Sequence, residues 1–106
     1  MIQVCFLQQP NGELLGFQIT GHSGQDESGS DILCAAVSSA AYLTANAITD
    51  VVQVDAQVSV SEGEMSLQTE EKSVFLCRSL LQGLKLHLLG LEEQYPENIT
   101  VSYTEV

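Results

Sequence analysis

The sequence predicts an α+β fold: a two-layer sandwich in which a mixed sheet is covered by two helices, in the element order ββαββαβ. Short stretches in which apolar and polar residues alternate have the period of half-buried strands. Two longer stretches repeat apolar residues at intervals of three and four, the period of a helix with one buried stripe. Strands with one apolar face and helices with one apolar stripe bury each other most simply as two packed layers.

The first strand is Ile2 to Gln8, with Ile2, Val4 and Phe6 on one face. Turn chemistry in "QPNGEL" follows, then a second alternating run through Leu15, Phe17 and Ile19, so the chain opens with a β-hairpin. From Asp31 to about Val52 there is no proline or glycine, alanine is frequent, and Leu33, Val37, Ala40, Ala47 and Val51 recur with helical spacing. A second hairpin, "QVSVS" and "MSLQ", turns at Glu62-Gly63-Glu64. Glu70 and Glu71 then set negative charge where a helix N-terminus favours it. The second helix spans roughly Lys72 to Leu89, with Cys77, Leu80, Leu81, Leu84 and Leu88 on its stripe, and Gly90 and Pro96 as stop signals. A last strand carries Ile99, Val101 and Tyr103.

At 106 residues the chain suits one domain, residues 1–106, and is too short for two separate cores. The hydrophobic fraction of 44% exceeds that of a disordered acidic chain. Only Lys72, Arg78 and Lys85 are basic against 14 acidic side chains, for a formal charge of -11. Such a surface cannot neutralise phosphates, so direct nucleic-acid binding is not expected. A cationic protein partner fits the charge, as does simple solubility. No basic-then-apolar leader opens the chain and no membrane-spanning run is expected, which points to a soluble cytoplasmic protein. Cys5, Cys34 and Cys77 are odd in number, far apart and without a C-x-x-C pair, so neither a disulfide framework nor a metal site is expected.

The chemically suggestive stretch is "GHSGQDESGSDILCAAVSSA", residues 21–40. Its Gly- and Ser-rich loop, residues 23–30, is expected to be exposed and partly disordered without substrate, able to open and close over a bound molecule. Ser30 or Asp31 is the natural N-cap, which puts Cys34 in the first turn, where the helix dipole favours a thiolate and a nearby imidazolium from His22 would favour it further. Around the helix Cys34 lies on the flank of the buried stripe, with Ser38 one turn on and able to donate to an oxyanion. The amide of Cys34 is a second candidate donor. Each residue also has a plain structural reading: Cys34 as a small core residue, His22 as an idle loop residue, Ser38 bonded back to its own helix and Asp31 as a cap. Cys5, on the opposite sheet face from Val4 and Phe6, and Cys77, on the second helix stripe, read as structural. His87 reads as a helix-edge or subunit-contact residue. Spacing alone leaves these alternatives open.

The string Gly21-His22, then Gly29-x-Asp31-Ile32-x-Cys34-Ala35-Ala36-Val37-Ser38, resembles the ribosomal-processing cysteine protease family Prp. Element order and length are similar along the chain; Ser23 and Leu33 depart from the alanine and valine of the family pattern. The resemblance implies a cytoplasmic, homodimeric cysteine endopeptidase that needs no cofactor and removes a short N-terminal extension from a ribosomal large-subunit protein after a phenylalanine-containing stretch. It assigns Cys34 as nucleophile and His22 as general base, with Gly21, Asp31 and Ser38 at the remaining motif positions. It also gives the charge of -11 a use, since ribosomal proteins are basic. Two rivals remain at this stage: a non-enzymatic acidic module that binds a ribosomal protein, and a thiol redox sensor working through Cys34.

Overall fold

The computed structural model describes residues 1–21 and 28–106, with the side chains of residues 28–31 left aside. Its strands are β1 (Ile2–Gln8), β2 (Leu14–Thr20), β3 (Ala56–Ser61), β4 (Glu64–Thr69) and β5 (Ile99–Glu105); its helices are α1 (Ser28–Asn46) and α2 (Val74–Gln94). The sheet order is β3-β4-β2-β1-β5. β1 runs parallel to β5 and every other neighbouring pair is antiparallel, so the sheet is mixed, as the sequence predicts.

Both helices pack on one face. Val4, Phe6, Phe17, Leu67 and Ile99 of the sheet share a core with Leu33, Val37 and Ile48 of the first helical region and Cys77, Leu81 and Leu88 of α2. The other face is lined by Gln3, Cys5, Gln18, Ser66 and Gln68. The first hairpin turns through Gly12 at φ +91°, where the Gly12 N–H donates to the Gln9 carbonyl and the Glu13 N–H to Asn11 Oδ1.

Several sequence expectations are corrected. Leu15 does not continue the Phe17 and Ile19 face. Gln8 pairs with Leu14 and Leu7 with Gly16, so Leu15 is the extra residue of a β-bulge. Leu14 takes the core position, while Leu15 packs with Leu7 and Val74 in a small separate cluster. α1 begins at Ser28, so Ser30 and Asp31 lie inside its first turn rather than capping it.

At its other end the helical path passes into a π-helical turn, Ala47–Val51. This wider turn retards the rotation of the stripe. Ile48 fills the core and Val51, expected inside, is 78% exposed. α2 starts after a short 3-10 turn, Glu71–Ser73, and runs through Gly90 to Gln94. A mid-helix glycine costs only about 1 kcal/mol. Leu91 packs against the core, and the Glu92 carboxylate accepts the Val101 N–H at 2.7 Å, so tertiary contacts carry the helix past the expected stop.

Contrary to the expectation of no membrane-spanning run, Ile32–Val51 and Glu71–Gln94 are long and apolar enough by composition to cross a membrane. Each packs a stripe on the sheet, as core helices do.

Candidate active site

Cys34 lies six residues beyond the start of α1 and is half-buried, packed partly against the core. Leu33 and Val37 turn fully inward and set the rotation of the helix, which leaves Cys34 on the flank the sequence assigned to it. There it faces a cleft of about 160 Å³. One wall of the cleft is the α1 row Cys34, Ser38 and Tyr42, spaced one turn apart. Val60 and Met65 of the second hairpin line the other side, and Ile2, Ile19 and Gly21 are also among the lining residues.

Gly21, directly after β2, has a conformation that L residues rarely adopt, φ +87°. A Cβ there would strike the Met1 carbonyl oxygen, so both backbone and space demand glycine. Its N–H donates to the Gly63 carbonyl at 2.9 Å and ties the end of β2 to the turn between β3 and β4.

Three of the five expected site residues can therefore be located in full, and Gly21, Cys34 and Ser38 border one cleft. Ser38 is exposed there. Asp31 is located only by its backbone, in the first turn of α1. His22 and residues 23–27 of the expected opening loop lie outside the described residues, and residues 28–30, expected in that loop, belong to α1 instead.

The early start of α1 changes the electrostatic argument. Cys34 belongs to the second turn, whereas the helix-end field fades within the first turn. Its amide also lies beyond the four that lack an intrahelical acceptor, so it is not the oxyanion donor that the sequence suggested. The cleft-lining residues that sequence reasoning did not single out include Tyr42, Val60 and Met65. Tyr42 was within reach, because it continues the i, i+4 row of Cys34 and Ser38.

The other two thiols are differently placed. Cys77 is fully buried in the core, and burial pushes its pKa up. Cys5 Sγ lies 2.9 Å from Thr104 Oγ1 on the outer sheet face. His87 is exposed at the edge of a groove between α1 and α2. Among the described residues no cluster of His, Cys, Asp and Glu is arranged to hold a metal ion.

A half-buried thiol on a helix flank, bordering a cleft, is compatible with nucleophilic cysteine chemistry. The family model described as cysteine protease Prp matches residues 1–100. The chain is 26% identical over 105 residues to the ribosomal processing cysteine protease Prp of Staphylococcus aureus, covering 97% of this chain and 99% of that one. A crystal structure of the essential ribosomal processing protease Prp from S. aureus with a covalently linked product peptide superposes with a TM-score of 0.87 at 25% identity, over 98% of this chain and 100% of that one. The same enzyme with a substrate peptide matches at TM-score 0.87 and 24% identity, with the same coverage.

This chain belongs to the cysteine protease Prp family, and it is a cysteine peptidase. That membership displaces the binding-module and redox-sensor readings.

Proposed function

We propose that this protein is an endopeptidase that removes an N-terminal extension from a basic ribosomal large-subunit protein, with Cys34 as nucleophile and His22 as general base. The observation that carries the reading is the position of Cys34, bordering a cleft on the fold of a family whose S. aureus member was crystallised with a covalently linked product peptide. The S. aureus relative is named for ribosomal processing, and a chain at -11 attracts a basic substrate at long range.

In this reading His22 takes the Cys34 proton and the thiolate attacks the scissile carbonyl carbon. Ser38, exposed on the same wall, donates to the oxyanion. The tetrahedral adduct collapses as His22 protonates the leaving amine. Water, deprotonated by His22, then hydrolyses the thioester and releases the extension as a carboxylate. Because Cys34 lies past the first helical turn, the imidazole becomes the main activator of the thiol. Gly21 serves by turning the chain into His22, and Asp31 by supporting the segment between His22 and Cys34.

We also infer a one-domain, cytoplasmic homodimer. Phe75, Leu76 and Leu86 on α2 and Tyr103 on β5 leave large apolar side chains exposed for a second copy. No step calls for a cofactor or nucleic-acid contact.

Intact-mass spectrometry of the extended ribosomal protein, with and without this enzyme, tests the function. Loss of a short N-terminal segment is the expected result. A complex that forms with no mass change would refute it.

A further inference from the structure

Among the described residues β3 is an edge strand, paired only with β4. Its hairpin closes at Ser61 and Glu64 around the two-residue turn Glu62-Gly63, which makes Ser61 and Glu64 a hydrogen-bonded pair. Hydrogen-bonded and non-bonded pairs alternate along an antiparallel ladder, so Val60 opposite Met65, Val58 opposite Leu67 and Ala56 opposite Thr69 are non-bonded pairs.

The neighbouring ladder gives the same answer independently. The Gly21 N–H donates to the Gly63 carbonyl, which makes Ile19 and Met65 a bonded pair and commits the Met65 backbone to β2. The N–H and C=O groups of Ala56, Val58 and Val60 therefore point away from the sheet, along its open edge.

Edge strands in natural proteins are usually blunted by charge, proline or a bulge. β3 reads AQVSVS and has none of these: it carries no charged residue and no proline, and its register with β4 is unbroken. Its side chains alternate, and Val58 and Val60 share the sheet face of Leu67 and Met65, toward the helices, yet are 44% and 50% exposed. Val60 and Ser61 at the end of this strand border the same cleft as Cys34. The end of this open edge strand thus borders the cleft that Cys34 also lines.

We propose that the peptide substrate binds as an added strand on the edge of β3, hydrogen-bonded to the outward N–H and C=O groups of Val58 and Val60, and that this pairing delivers the scissile bond to Cys34. This inference rests on the peptidase reading above and adds the mode of recognition. Strand addition takes affinity from the main chain and leaves selectivity to every second side chain. In the bound peptide those alternate side chains lie over Val58 and Val60 and continue toward Tyr42.

The test uses the wild-type enzyme and synthetic peptides spanning the junction between extension and mature protein. In each peptide one amide N–H is replaced by an ester oxygen, which removes a donor with little change of shape. On one side of the scissile bond, esters should lower kcat/KM by about three- to tenfold at every second position and leave the positions between unchanged.

A second arm is Val58→Pro, which removes an outward N–H without touching the ladder to β4. It should lower kcat/KM by a similar factor on the unmodified peptide. A flat ester scan, with the unmodified peptide still cleaved, overturns strand addition and leaves the peptidase reading standing. Failure to cleave the unmodified peptide overturns both. If Val58→Pro dissociates a dimer while cleavage is unchanged, the edge pairs with a second copy and the proposal is wrong.

Discussion

The backbone N–H of Gly21 donates to the carbonyl oxygen of Gly63 at 2.9 Å, joining the strand that leads into His22 to the hairpin turn beside the Cys34 cleft. With φ at +87° and the Met1 carbonyl where a Cβ would sit, Gly21 cannot be replaced without moving this junction. Gly21→Ala should cost about 1–2 kcal/mol for the left-handed backbone alone. Its kcat/KM should fall at least tenfold in protein that is still folded by circular dichroism. Full activity would show that the junction does not position the catalytic segment.

Cys77 offers a check on which thiols are accessible. Buried in the core, it should react with iodoacetamide only on unfolding, while Cys34 and Cys5 label in the native protein. Peptide mapping after brief alkylation reads the order.

The same burial makes stability depend on pH. The folded pKa of Cys77 is raised, so the native state keeps its proton longer than the unfolded chain does. The stabilisation is complete below the unfolded thiol pKa and is lost as pH rises through the folded value. Thermal melts should therefore fall from about pH 8 upward, and less steeply in Cys77→Ala.

Gly16 tests the packing of the sheet. A Cβ there would fall on the Leu67 carbonyl oxygen of the neighbouring strand, next to the bulge at Leu15. Gly16→Ala should destabilise by about 1–3 kcal/mol or more, measured by urea unfolding. An unchanged midpoint would mean that β2 and β4 approach less closely.

Leu86 tests the proposed dimer. It is 74% exposed on α2, so Leu86→Glu should be neutral within about 0.5 kcal/mol for folding. Sedimentation should nonetheless shift toward monomer. A dimer that survives the change would move the interface off this face of α2.

Much of this architecture was legible in the sequence because the hydrophobic periods of its segments are clean. Phe6, Phe17, Leu67, Leu81 and Ile99 all sit where alternation or helical spacing puts them. What escaped were local irregularities that periodicity averages away. The extra residue at Leu15 moved Leu14 into the core, and the π turn moved Ile48 in and Val51 out.

For the site, the flank position of Cys34 and its alignment with Ser38 followed from helical geometry. The capping role of Ser30 or Asp31 did not survive, because Ser28 and Gly29 continue the helix despite their weak propensity. The opposite wall, with Val60 and Met65, comes from strands some 26 to 31 residues further along, and only the sheet order brings them to Cys34.

The central claim is that Cys34 carries the acyl group. Acid quenching of the enzyme during turnover of the extended ribosomal protein, followed by peptide mapping, reads it directly. The expected result is a thioester-linked segment of the substrate on the peptide containing Cys34, absent in Cys34→Ala, which should also lose cleavage by at least three orders of magnitude. Acylation of Cys5 instead, or undiminished cleavage by Cys34→Ala, would contradict the account.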